Sequence, residues 1–144
     1  MRLVLDANEY IFALSKPPSL FSKDLIDTLL DTGGHDVRIQ RTIVREVSRR
    51  LPKPLHRTFY KLLEDLLEED CSIDEDFLVP HHVAQHYQDV GFKEGDAHIA
   101  AYAEVIVADA VISENRRHFH AMAGRLPFKV MDAETFLKRH PGRR

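Results

Sequence analysis

An α/β fold, in which strands and helices alternate over one domain's length, is what this sequence predicts. Three observations carry that expectation. Short apolar runs rich in branched residues end abruptly at polar ones, as in Leu3-Val4-Leu5 before Asp6, Val107 to Ser113, and Phe128 to Met131 before Asp132. Between them apolar residues recur at helical spacing. No internal repeat, low-complexity block or linker breaks the 144 residues, a length that buries a core without staples. Alternation of this kind predicts an α/β/α sandwich with a mainly parallel central sheet and right-handed crossovers. Residues 1–140 read as the domain and 141–144 as a frayed basic tail.

The elements follow in order. Leu3 to Leu5 reads as a strand buried on both faces, with Asp6-Ala7-Asn8 turning the chain. Tyr10 to Ser15 is a short helix stopped by Pro17-Pro18. Ser19 or Ser22 stands where a second helix needs a cap, Leu25, Ile26, Leu29 and Leu30 form its apolar face, and Thr32-Gly33-Gly34 ends it. Val37 to Gln40 is the next strand. A helix from Thr42 to Leu51 buries Ile43, Val44, Val47 and Leu51, and Pro52 closes it. Leu55 to Glu69 is a longer amphipathic helix through Phe59, Leu62, Leu63 and Leu66. Cys71-Ser72-Ile73 reads as a short edge strand, and Val83 to Val90 as a modest helix broken by Gly91. Lys93-Glu94-Gly95 opens directly into a small, apolar helix that carries Asp96 in its first turn. Val107 to Ser113 is the second strong strand, and Arg116 to Ala123 a helix stopped by Gly124. Phe128 to Met131 is the last strand, after which Asp132 caps a helix through Leu137.

Composition narrows the function classes. At 44% hydrophobic and 30% charged residues, the chain is an ordinary soluble globular protein rather than a disordered one. Its single cysteine, Cys71, cannot form an internal disulfide and fits a reducing cytoplasm. Charge at Arg2 and Asp6 comes too early for a signal-peptide core, and no apolar run approaches a membrane span, so no membrane partner is expected. The formal net charge of −3 exerts no overall pull on nucleic acid, so any such contact needs a local basic patch and a metal. There is no Walker loop, GxGxxG or GxSxG, which removes the phosphate-loop, dinucleotide and serine-hydrolase classes. Nine histidines are scattered without HExxH or a cysteine partner, which argues against zinc.

The chemistry-bearing residues sit at element ends. In a parallel sheet, ligands collect outside the carboxyl ends of the strands. Asp6 lies at one such end, Ser113-Glu114-Asn115 at another, and Asp96 opens the helix leading into that second strand. Oxygen donors from distant segments are what a hard divalent cation needs. Each has a purely structural alternative: a turn aspartate at Asp6, a helix cap at Asp96, and a solvated Glu46 paired with Arg50 one turn on. Asp132 reads as a cap only. Arg45, Arg49, Arg116 and Arg117, with Arg41, Arg50, Lys53 and Arg57 nearby, form basic patches that either solvate helix faces or meet phosphate. Tyr10, Ile11, Phe12, Leu14, Leu20 and Phe21 are more apolar than one short helix must bury, and serve either the core or a groove for a partner helix.

Four segments, spread in order over almost the whole chain, resemble the motifs of PIN-domain nucleases. They are Leu3-Val4-Leu5-Asp6-Ala7-Asn8, Thr42-Ile43-Val44-Arg45-Glu46-Val47, Lys93-Glu94-Gly95-Asp96-Ala97-His98, and Ile112-Ser113-Glu114-Asn115 through Phe119. The length fits the small VapC-like toxins of toxin–antitoxin pairs. The resemblance implies a PIN-like, Rossmann-like fold and a Mg²⁺- or Mn²⁺-dependent endoribonuclease. Asp6, Glu46 and Asp96 would be its acidic core, and Asn115 would join them as a metal ligand. Asn8, Ser113 and Glu114 would orient those ligands, and Arg45, Arg49, Arg116 and Arg117 would meet the RNA. An antitoxin and a homodimer are the implied partners. The fourth site departs from the pattern, since Asn115 offers an amide oxygen without charge and Glu114 stands one position early. That departure leaves a second reading, a non-catalytic RNA- or protein-binding module with a degenerate metal site.

Overall fold

The computed structural model describes residues 1–67, 73–114 and 119–141. Four strands, β1 (Arg2–Leu5), β2 (Asp36–Arg38), β3 (Ala110–Ile112) and β4 (Lys129–Met131), form one sheet in the order β2-β1-β3-β4, with every pairing parallel. Among the described residues seven α-helices flank it: α1 (Ala7–Leu14), α2 (Leu20–Thr32), α3 (Arg41–Arg50), α4 (His56–Leu66), α5 (His81–Asp89), α6 (Glu94–Val105) and α7 (Ala133–Arg139). This is the expected α/β sandwich. The two inner strands are apolar on both faces: Leu3, Val4, Leu5, Ala110, Val111 and Ile112 have no exposed surface. At the edges, β2 buries only its central Val37, and β4 runs from an exposed Lys129 to a buried Met131. Among the described residues no helix is long and apolar enough to cross a membrane.

Register decides where the chain's polar ends gather. Leu5 pairs with Ile112, and Ile112 with Met131, so β1, β3 and β4 stop level with one another. Their next residues, Asp6, Ser113 and Asp132, therefore leave the sheet at one edge. The amide of Asp6 donates to the Ile112 carbonyl and that of Ser113 to the Met131 carbonyl, each at 3.0 Å. From β1 the chain crosses to β2 on one side, while β3 and β4 lie on the other. The crevice between β1 and β3 is thus the switch point where α/β sheets place their ligands.

Several boundaries differ from the sequence expectation. Helix α1 starts at Ala7, not Tyr10, so Asp6 occupies its N-cap position without making a side-chain cap bond. Ser22 caps nothing: it lies buried within α2 and donates to Glu9. A left-handed Gly33 (φ 60°) ends α2, a conformation that favours glycine. The strand expected from Val107 shrinks to Ala110–Ile112, because α6 winds off through Val107 (φ 55°), whose amide and that of Ala108 return to the Glu104 and Ala103 carbonyls. Residues Lys53–Leu55 form a 3₁₀ turn before α4. Ile73 is in no strand, and only a single bridge joins Gln40 to Asp74; Cys71 and Ser72 lie outside the described residues. The helix expected from Arg116 to Ala123 is a 3₁₀ segment, His120–Arg125, that runs through Gly124, with residues 116–118 outside the described set. Asp132 caps α7 as expected, accepting the Thr135 amide at 2.7 Å.

Candidate functional site

Asp6 is the centre. It is 5% exposed, and its Oδ2 accepts the Ser113 hydroxyl at 2.9 Å across the β1–β3 crevice. Burial, opposed by the Ser113 hydroxyl and the Ala7 amide and joined by the charges of Asp96 and Glu46, pushes its carboxyl up to about 6. Asp96 stands in the first turn of α6, where unpaired amides favour negative charge. Glu46 rises from α3, partly exposed, 3.6 Å from Arg50. Arg50 also donates to the Asn8 amide oxygen at 2.7 Å, so both outer candidates share one cation. Two acids from two further segments therefore act on Asp6 across the switch point.

The rise at Asp6 has a sign that experiment can check. A carboxyl whose native pKa exceeds its unfolded value binds more protons when folded between about 4 and 6. Its contribution to stability is full below the lower value and lost as pH climbs through the upper one, about 3 kcal/mol in all. In chelator, urea unfolding is expected to show stability falling from pH 4 to pH 6 and beyond. With Mn²⁺ present the decline should shrink, because the ion favours ionised Asp6. Stability that rises over that interval in chelator would contradict this account of the site.

A cavity of about 610 Å³ opens beside Asp6's neighbours, between α3 and α6. Thr42, Arg45, Glu46 and Arg49 line it from α3; Glu94, Gly95 and His98 line it from α6. Glu94 and His98 stand in the third motif segment but were given no role there; their i, i+4 spacing puts them on one helix face. Arg45 is ion-paired to Asp76, which also accepts the Thr42 amide and hydroxyl at 3.0 and 2.7 Å. Arg41 pairs likewise with Glu75 at 2.9 Å. The basic cluster is thus partly balanced from within, and Arg49 is left exposed at the groove.

Other candidates fall elsewhere. Glu114 turns away, its Oε1 accepting the Ala133 amide at 2.9 Å. Asn115, Arg116 and Arg117 lie outside the described residues. Tyr10 and Ile11 belong to the core, Phe12 and Leu14 are half-buried, and Leu20 and Phe21 are exposed at 68% and 43%. Sequence reading missed Glu9 altogether. It has no exposed surface, and burial, followed by the charge of Glu114, pushes its carboxyl up to about 8. The available signal was its spacing: three residues after Asp6 and next to Tyr10, it falls on the buried face of α1.

Among the described residues no three His, Cys, Asp or Glu converge tightly enough to form an ion cage on their own. What Asp6, Asp96 and Glu46 offer is an all-oxygen donor set around a buried carboxylate strained by like charge. That suits a hard cation such as Mg²⁺, which takes one or two carboxylates and completes its shell with water and substrate oxygens.

No known family's sequence model matches this chain, and no curated protein matches it by sequence. Solved structures do resemble it. VapBC2 from Rickettsia felis, bound to a DNA fragment from its promoter, superimposes with a TM-score of 0.63 at 17% identity, over 92% of this chain and 98% of that one. FitAcB from Neisseria gonorrhoeae does so with a TM-score of 0.61 at 18% identity, over 92% and 98%. At such identity the likeness establishes a shared fold, a PIN-like α/β/α sandwich.

Proposed function

We propose that this chain is a divalent-cation-dependent endoribonuclease and the toxin of a toxin–antitoxin pair. The observation that carries the reading is the buried Asp6 carboxyl, held among the charges of Asp96 and Glu46 at the switch point of the sheet. Such repulsion is tolerable in a site that a dication enters. The likeness of fold to VapBC2 and FitAcB, together with the four motif segments, supports the same reading.

Asp6 and Asp96 would hold Mg²⁺ or Mn²⁺ directly, with Glu46 beside them. When bound, the ion supplies Lewis-acid stabilisation of charge on a phosphodiester and lowers the pKa of water. The chain's own residues do the rest. Ser113 fixes the Asp6 carboxylate through its hydroxyl, and Arg50 ties Glu46 and Asn8 together at the groove's edge. Arg49, and Arg45 where it leaves Asp76, meet the backbone phosphates. The groove between α3 and α6 suits an unstacked single strand, whose turned backbone enters a cleft that a duplex would not.

The antitoxin belongs to the face formed by α1, α2 and α4. Leu20 and Phe21 stand exposed on α2, and Leu14, Ile26 and Leu30 line a second cavity of about 280 Å³ between α1, α2 and α4, which suits an amphipathic partner helix. A homodimer is part of the same proposal.

The test is cleavage of end-labelled RNA by purified protein. Products are expected with Mg²⁺ or Mn²⁺ and none with excess chelator, activity returning when the ion is restored. Asn115 in place of an acid favours one rival, a binding module whose metal affinity has decayed. If Mn²⁺ titration gives no heat and no RNA is cut, that rival stands and the enzyme reading is lost.

A further inference from the structure

Among the described residues no large apolar side chain is as exposed as Phe77, at 88%. The turn that carries it is nonetheless firmly held. Asp76–Leu78 is a single 3₁₀ turn, and the Leu78 and Val79 amides return to the Glu75 and Asp76 carbonyls. Just before it, the Asp74 amide donates to the Ile39 carbonyl at 2.9 Å and the Arg41 amide to the Asp74 carbonyl at 2.8 Å. Asp76 then fastens the turn to the start of α3, accepting the Thr42 amide and hydroxyl and meeting Arg45. Thr42 and Arg45 line the groove between α3 and α6. The Phe77 ring thus stands in water on a fixed support at the lip of that groove, next in the chain to a side chain bonded to its wall.

We propose that Phe77 is a stacking platform for an unpaired base of the RNA strand that enters the groove between α3 and α6. This rests on the reading of that groove as an RNA site given above, and adds to it a contact with a base rather than with the backbone. The setting selects the occupant. A partner helix needs a broad apolar face, whereas Phe77 and the partly exposed Leu78 stand among charges, with Glu75 and Asp76 before them and Arg41 and Arg45 on the neighbouring helix. Cations beside one bare ring match a single strand, whose phosphates take the charge while a base takes the ring. Arg45 meets Asp76 through one terminal nitrogen, and its side chain stays 63% exposed, which leaves donors for a phosphate. Spacing agrees. Glu46 of the acidic centre stands one helical turn beyond Thr42 on α3, about 6 Å along the axis, which a few nucleotides span at about 3.4 Å each. Stacking accepts any base, so the platform demands an unpaired strand without dictating its sequence.

The chain contains no tryptophan, so Phe77→Trp puts a single fluorophore at the platform. With Ca²⁺ as the only divalent metal, a short oligoadenylate is expected to quench its emission, while a ribose-phosphate strand of equal length without bases binds and leaves the emission unchanged. Phe77→Ala should bind the oligoadenylate about tenfold more weakly by fluorescence anisotropy, and Phe77→Trp should restore wild-type affinity. Because the ring packs against nothing, the alanine variant should keep the thermal midpoint of the wild type. It should also keep the slope of log affinity against log salt, since no phosphate contact is lost, whereas Arg49→Ala should lower that slope by about 1. Emission that ignores RNA, or an alanine variant that binds as tightly as the wild type, overturns the platform. So does emission that shifts with protein concentration alone, which would place a second copy of the chain on the ring. A wild type that binds no single-stranded RNA overturns it as well. Quenching by RNA without cleavage in Mn²⁺ keeps the platform and defeats the nuclease reading alone; cleavage without quenching does the reverse.

Discussion

Replacing Asp6 by asparagine is expected to abolish RNA cleavage while making the protein harder to unfold. The two effects have one cause. In the wild type, burial and the charges of Asp96 and Glu46 hold the Asp6 carboxyl at about 6, so at pH 7.5 the native state carries an ionised group it would rather neutralise. Asparagine removes that charge and keeps an oxygen for the Ser113 hydroxyl. Relief of about 3 kcal/mol is offset by about 1–2 kcal/mol for amide hydrogens without partners, leaving a gain of about 1–2 kcal/mol at pH 7.5. Cleavage should fall more than about 100-fold, since losing the ion forfeits several kcal/mol of transition-state stabilisation. Urea unfolding in chelator reads the first effect, and initial cleavage rates at saturating Mn²⁺ read the second. A variant that is less stable and equally active would refute both the strain at Asp6 and its role.

Phe59→Ala should show the opposite pairing, with stability lost and chemistry kept. Phe59 has no exposed surface, and its ring meets that of Tyr10 edge-on at 5.6 Å, joining α4 to the helix that begins after Asp6. Leu62, Leu63 and Leu66 are buried on the same face of α4. Truncating a buried phenylalanine costs about 3–5 kcal/mol, counting both lost burial and the cavity left behind. In a protein of ordinary stability that is a large share of the total, and the midpoint of thermal unfolding should drop by about 10 °C. At a temperature where circular dichroism shows the variant folded, its cleavage rate per folded molecule should lie within about threefold of wild type, a bound on the barrier change of under 1 kcal/mol. A midpoint that barely moves would mean that α4 packs less closely on α1 than this contact requires.

Much of the fold is legible along the chain because its signals are local. The apolar run at Leu3 to Leu5 can only be satisfied by burial on both faces, and it forms an inner strand. The stripe Ile43, Val44, Val47 and Leu51 has one helical face, and all four residues are buried. The misjudged boundaries come from contacts that sequence does not display. Ser22 looks like a cap until a buried glutamate from α1 takes its hydroxyl. Val107 looks like a strand residue until α6 finishes its last turn through it. At the site, Asp6 and Asp96 are readable because both stand at element ends facing one edge of a parallel sheet. Glu94 and His98, though in the motif, were given no role because a groove is a property of two helices, α3 and α6, and neither shows it alone.

By itself, then, the sequence determined the class of fold, the order of the four strands of the sheet, and the standing of Asp6 and Asp96 at element ends. Periodicity and chain punctuation are enough for that, since each concerns neighbours within a few residues. Tertiary structure alone decided which polar groups lose their water. It buried Glu9, turned Glu114 to the Ala133 amide, bound Arg45 to Asp76, and raised Asp6 toward neutrality. Desolvation and charge proximity depend on what the rest of the chain packs above a residue, and no residue's own neighbours in sequence carry that information.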